Sequence, residues 1–216
     1  MSDAARPDRT SSDGALLRVL REGTSREHHI LAALLDLPRR TSSADGLAGT
    51  LAALLASWEP LEQHLAGACI WATVHLNPYL GEAAHLLRAD LTTLGYPAER
   101  STPAPLPFRY ASVAEAVGGR YVLLGSAMGG KVIADAIERW LGPGAVGATR
   151  FFRRDGLDPV HDWRGFRSAL VARSWSAEEK RQAVAGALRT FGHIGAVAAP
   201  LLDGGRCGGY PHAMAH

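Results

Sequence analysis

The chain has 216 residues, of which 47% are hydrophobic and 20% charged, with a formal net charge of +2. That size and balance suit one globular domain with a substantial core, and the scattered basic residues exclude a dedicated nucleic-acid surface. No run approaches the ~18 consecutive apolar residues of a membrane span, and the opening MSDAARPDRTSSDG lacks the apolar centre of a secretory signal. Two cysteines, Cys69 and Cys207, are too few for a disulfide framework or a four-ligand zinc site. The expectation is a cytoplasmic protein with no membrane and no nucleic-acid partner.

Residues 1–13 lack periodicity and are expected to form a disordered arm before a domain over 14–200. Leu16, Leu20, Thr24, Leu31 and Leu35 recur at helical spacing from Gly14 until Pro38, where the helix is expected to stop. A second apolar run covers 45–57, and Trp58-Glu59-Pro60 predicts a restart, with Pro60 in the first turn of a helix over 60–76. Asn77-Pro78 breaks it, and a further helix over 79–94 ends at Gly95-Tyr96-Pro97. Pro103, Pro105 and Pro107 predict an extended connector. The pattern is helical again from Ala111 to Leu141, closed by Gly142-Pro143-Gly144. Helices follow over 159–173 and 176–200, the last opened by Ser176 as N-cap with Glu179 completing a capping box. Residues 201–216 are glycine-rich and read as a flexible tail. With little alternating pattern and no internal repeat, the fold class is all-α, a bundle of roughly seven helices.

The segment RYVLLGSAMGGKVIADAIERW carries Gly125, Gly129 and Gly130 in its middle, with Gly118 and Gly119 just before it. An interior glycine costs a helix roughly 0.5–1 kcal/mol relative to alanine, so something requires the missing side chains. Either another helix approaches closely there, or a flat ligand lies on the backbone of a bent helix.

The first helix reads LLRVLREGTSREHHILAALL. His28 shares a face with Thr24, Leu31, Leu35 and Arg21, while the adjacent His29, about 100° round the helix, shares one with Ser25 and Arg18. Such a histidine is either a satisfied core residue or a ligand. An arginine two turns away on the same face suits an iron cofactor that bears carboxylates, with imidazole on the metal and guanidinium on the acid.

Taken together, these segments resemble the heme oxygenases, and within them the bacterial biliverdin-forming branch associated with bacteriophytochromes. Leu20 to Thr24 followed by His28 resembles the family's first-helix motif, and Tyr121 to Gly130 its glycine-kinked distal helix. Phe166-Arg167-Ser168, followed by Phe191, resembles its late helices. The three matches cover about 20–35, 111–141 and 160–195, in the family's order. The resemblance implies oxidative cleavage of heme to biliverdin with release of ferrous iron and carbon monoxide. Heme is then both substrate and cofactor, and O2 and a separate electron donor such as a ferredoxin or ascorbate are consumed, with a bacteriophytochrome as a receiver of biliverdin. It implies His28 as the iron ligand, with His29 the alternative, and Gly125, Ser126, Gly129 and Gly130 as the catalytic wall. Arg21, Thr24, Met128, Arg167 and Phe191 become the heme-contacting residues, the two arginines on the propionates.

Two departures stand out. Ser126 replaces the aspartate that mammalian members carry after the first distal glycine, as the bacteriophytochrome-associated branch also does. Ala32 occupies the position one turn after His28 where the family often has a carboxylate to orient the imidazole.

Other readings compete. A non-heme di-iron bundle would draw on Glu82/His85, Asp158/His161 and Glu59/Glu62, although Asp158 also suits a helix N-cap. A carrier or sensor of the same fold would hold heme without turning it over. Cys207, His212 and His216 form a tail suited to adventitious metal binding, and Cys69 reads as a buried thiol. The five tryptophans Trp58, Trp71, Trp140, Trp163 and Trp175 read as core or pocket packing, and Arg39-Arg40 and Arg153-Arg154 as exposed pairs where an acidic reductant could dock.

Overall fold

The computed structural model describes residues 14–67, 71–77, 79, 83–96, 108–145 and 147–204. The expected arm, most of the proline-rich connector and residues 205–216 lie outside them, as do Cys69, Glu82, Cys207, His212 and His216. Among the described residues there are nine α-helices and no strand. They are α1 (Ala15–Leu35), α2 (Leu37–Arg40), α3 (Ala44–Ala66), α4 (Ala83–Thr93), α5 (Val113–Ala127), α6 (Gly130–Leu141), α7 (Arg150–Arg153), α8 (Pro159–Ala172) and α9 (Ala177–Gly204). Single 3-10 turns at Trp71–Val74 and Gly142–Ala145 complete the set. The all-α expectation holds.

Several boundaries differ from those expected. Pro38 does not stop α1: Asp36 does, in a left-handed conformation with φ 39°, and Pro38 sits in the first turn of the short α2. Trp58-Glu59-Pro60 is no restart, because α3 runs unbroken through Pro60 to Ala66. The surrounding burial explains this: Leu51, Leu55, Leu61 and Leu65 are fully enclosed, so packing along the whole length outweighs the one backbone hydrogen bond lost at the proline. The last helix continues past Pro200 to Gly204, four residues into the segment expected as tail. Its capping box forms as read, Ser176 Oγ accepting from the Glu179 N–H at 3.1 Å and Glu179 Oε2 from the Ser176 N–H at 2.9 Å.

The core lies between α3, α5 and α9, with α1 laid against α9 and α4 against α3. The α5–α9 crossing is built from reciprocal glycines. A β-carbon on Gly118 would stand 1.9 Å from the carbonyl oxygen of Ala183, and one on Gly186 would stand 2.1 Å from that of Glu115. Backbone meets backbone there, which fixes α5 against α9 and sets the line along which the helix leaves the core. Gly119 makes the same kind of approach to the Tyr110 ring, whose hydroxyl is 2.8 Å from Thr190 Oγ1.

Candidate functional site

Beyond Ala127 the helix does not continue as one rod. The Met128 N–H bonds Gly125 at 3.2 Å in a tightened last turn, and Gly129 opens α6 as its N-cap. This two-residue break forms one wall of a cavity of about 770 Å3, within the range of small-molecule and cofactor sites. α1 supplies a second wall, and Phe151 and Phe152 of α7 with Phe191 and Ile194 of α9 line the rest.

The structure separates the glycines that the sequence left together. A β-carbon on Gly125 or Gly129 would meet nothing within 4 Å, so no helix packs there and both open onto the cavity. Gly130 also borders the cavity, but its β-carbon would stand 2.0 Å from the Phe152 carbonyl oxygen. Gly130, Gly118 and Gly119 therefore serve packing, while Gly125 and Gly129 leave the backbone bare toward the space. Gly130 thus stays in the cavity wall, where its missing side chain also admits Phe152.

On α1, the cavity is bordered by Arg21, Thr24, His28 and Ala32. His28 is exposed, and its ring stands edge-on to Phe191 at 6.1 Å and to His29 at 5.9 Å between centroids. His29 lies outside the lining. Thr24 is buried and donates to the Leu20 carbonyl within its own helix at 2.7 Å, so it fills wall rather than offering a free hydroxyl. Met128 lines the same space and is 46% exposed.

Arg167 is the expected contact that the cavity does not include. It lies in an adjoining cleft with Arg18, Arg164 and Glu22, joined to the main cavity through Arg21, Tyr121 and Trp163, which border both. Four arginines thus cluster at one edge of the site, a field suited to a ligand that carries carboxylates there.

Ser126 donates to the Leu123 carbonyl at 2.7 Å and accepts from Arg154 Nη2 at 3.3 Å. Arg154 is only 7% exposed and stacks over Phe151 at 4.3 Å. Burial lowers its pKa, while Tyr79 and Glu62 act the other way. Sequence reading missed it because Arg153-Arg154 looks like one exposed basic pair. In fact Arg154 is left-handed, with φ 56°, and the two side chains diverge. Arg153 bonds Asp135 at 2.7 Å and Glu138 at 2.6 Å, so neither arginine is a free docking charge. Arg39 likewise pairs with Asp36, and Arg40 donates to the Leu202 carbonyl at 3.1 Å.

Trp58, Tyr121 and Trp163 also border the cavity, and Trp71 and Trp175 are buried elsewhere. Trp140 departs from expectation: it is 47% exposed. Among the described residues, the di-iron candidates do not assemble. Glu59 pairs with Arg88, Glu62 accepts from Tyr79 and the Ala83 and Ala84 N–H groups, and Asp158 caps α8 at the His161 N–H. Among the described residues, no three histidine, cysteine or carboxylate side chains converge on a metal position, and no helix is long and apolar enough to cross a membrane.

No protein-family model matches the chain. A heme oxygenase of Xanthomonas campestris pv. campestris (strain 8004) is 37% identical over 108 residues, which are 50% of this chain and 62% of that protein. The matched region thus spans less than two thirds of that relative's length. The structure of a heme oxygenase from Leptospira interrogans superposes with a TM-score of 0.64 at 20% identity, covering 86% of this chain and 98% of that one. The NO- and CO-bound heme oxygenase from Neisseria meningitidis superposes with a TM-score of 0.73 at 16% identity, covering 92% and 98%. The chain therefore has the all-helical heme-oxygenase fold and is related in sequence to a heme oxygenase.

Proposed function

We propose that this protein binds heme in the cavity between α1 and the α5–α6 break and cleaves it oxidatively to biliverdin, ferrous iron and carbon monoxide. The observation that carries this reading is the open space over Gly125 and Gly129, in a cavity whose α1 wall presents His28. For a flat macrocycle to lie directly against helix backbone that wall must lack side chains, and its iron then takes a ligating nitrogen from the other face. The residues present fit that requirement, and the arginines at the edge fit its two propionates.

When bound, the iron of heme supplies activation of O2, with electrons from a separate donor such as a ferredoxin or ascorbate. The protein's own residues bind and orient. His28 provides a neutral imidazole nitrogen, and its edge-on contact with Phe191 restrains the ring plane in place of the carboxylate that Ala32 does not provide. Gly125 and Gly129 let the backbone approach the macrocycle face. Arg21, with Arg167 in the adjoining cleft, pairs with the propionates and so fixes the rotation of the ring. Ser126 accepts from Arg154 and donates to the Leu123 carbonyl, and its oxygen can take a further hydrogen bond from water beside the bare backbone, so that protons are delivered there through water. A bacteriophytochrome remains the receiver of biliverdin that the sequence resemblance suggests.

The test is an optical titration with hemin, followed by ascorbate or ferredoxin in air. A stoichiometric complex whose Soret band decays as a broad biliverdin absorption grows supports the proposal. Binding without decay replaces oxygenase by carrier, and absence of binding overturns the heme assignment.

A further inference from the structure

Across α5 from the large cavity lies a second one of about 370 Å3, bordered by Glu62, Tyr79, Arg120, Leu123, Arg154 and Phe166 among others. The two cavities meet at Ala127 and Arg154, which line both. Arg120 and Arg154 are each 7% exposed, and none of the ion pairs among the described residues includes either guanidinium.

A guanidinium carries five N–H donors, and the protein uses few of them here. Arg120 donates Nη1 to the Asn77 carbonyl at 2.7 Å. Its face lies over Trp71 at 4.8 Å and Tyr79 at 5.6 Å, and its buried Nε has no partner. Among the described residues, Arg154 donates to Ser126. The buried carboxylate in the same cavity is already engaged: Glu62 accepts from Tyr79 Oη at 2.9 Å and from the Ala83 and Ala84 N–H groups at 3.2 and 2.8 Å. Asp162, His161 and His75 border the cavity as well and are exposed.

Glu62 attracts Arg154 and Asp162 attracts Arg120 through space, but neither carboxylate reaches contact, so donors of both enclosed guanidiniums stay open to a small anion in the cavity. The planar fork of a guanidinium matches a carboxylate. Glu62 and Asp162 in the same lining oppose a doubly charged anion, and the apolar side of the cavity suits a short hydrocarbon tail. We propose that this cavity binds a short-chain carboxylate, its acid group between the Arg120 and Arg154 guanidiniums and its tail against Leu123, Leu124 and Phe166. The site adjoins the heme cavity at Ala127 and Arg154 and requires no heme.

Calorimetric titration of the heme-free protein with butyrate tests this, with phosphate and chloride as comparison anions at constant ionic strength. The expected result is saturable binding of one butyrate per chain, weakened at least tenfold in Arg120→Gln and in Arg154→Gln. Isotope-filtered spectra of the wild-type protein should show contacts between butyrate protons and the Leu123 and Leu124 methyl groups. These contacts decide the matter even where a variant fails to fold. Absence of saturable butyrate binding, binding undiminished in both folded variants, tighter binding of phosphate, or bound butyrate without those contacts would each overturn the proposal.

Discussion

Gly130 lies so close to Phe152 that a β-carbon on it would stand 2.0 Å from the Phe152 carbonyl oxygen, whereas one on Gly125 would meet nothing within 4 Å. Alanine at the two positions should therefore act oppositely on stability. Gly130→Ala forces α6 and α7 apart and should destabilise by roughly 1–3 kcal/mol. Gly125→Ala relieves an unfavourable helical glycine and should stabilise by ~0.5–1 kcal/mol. Gly125→Leu should leave folding intact and weaken hemin binding at least tenfold, because the side chain enters the cavity. Denaturant titration and hemin titration read the two effects separately, and equal losses of stability at 125 and 130 would contradict the division of roles.

His28 borders the cavity and His29 does not. His28→Ala should lose the Soret band of a ligated complex and weaken hemin binding at least tenfold. His29→Ala should retain both within about twofold, since its ring meets the His28 ring edge-on and lies outside the cavity lining. A reversal of these outcomes in hemin titrations would reassign the ligand.

Arg21 borders both the main cavity and the adjoining cleft, while Arg167 borders the cleft alone. If propionates lie along that edge, Arg21→Gln should weaken hemin binding more than Arg167→Gln. A charge-assisted hydrogen bond contributes about 1.5–3 kcal/mol, which sets the scale as roughly tenfold or more for Arg21. The two variants should also shift which biliverdin isomer forms, because they change the rotation of the ring, and chromatography of the product checks this.

Ser126 is exposed beside the cavity and is the acceptor for Arg154. Ser126→Ala should leave hemin affinity within about twofold and slow the reductant-driven decay of the Soret band several-fold. Unchanged decay kinetics would remove Ser126 from proton delivery.

Asp90 on α4 is fully buried and accepts the N–H groups of Arg150 at 3.0 Å and Phe151 at 2.9 Å. It thereby anchors α7 and the two phenylalanines that α7 lends to the cavity. Burial pushes its carboxyl up from 3.8 to about 6, against the pull of those N–H groups and of Arg150. The folded state then holds the proton more tightly than the unfolded state. The stabilising contribution is complete below about pH 4 and is lost as the pH rises through about 6. At about 1.4 kcal/mol per unit, the loss approaches ~3 kcal/mol. Denaturant titrations from pH 4 to 7 should show the wild type losing stability relative to Asp90→Asn over that interval. A difference that is flat with pH would refute the assignment.

The all-helical class, the glycine-interrupted segment, the histidine doublet and the capping box of the last helix are all legible in the amino-acid pattern. All of these are local: helical spacing, caps and breakers act within a few residues of chain. The sequence also placed His28, Thr24, Gly125, Ser126, Gly129 and Phe191 on one list, and the fold brings them to one cavity. Long-range packing sets the rest. Pro60 stays inside α3 because the enclosed leucines on either side hold the rod straight. Gly118, Gly119 and Gly130 differ from Gly125 and Gly129 only in what stands opposite them: the carbonyls of Ala183 and Phe152 or the Tyr110 ring for the first three, open space for the other two. Arg154 turns inward from a left-handed residue at the end of a one-turn helix, where no periodicity marks its direction. Which face of a residue is covered depends on segments tens of residues away in the chain, so packing alone divides glycines that serve contact from those that leave room.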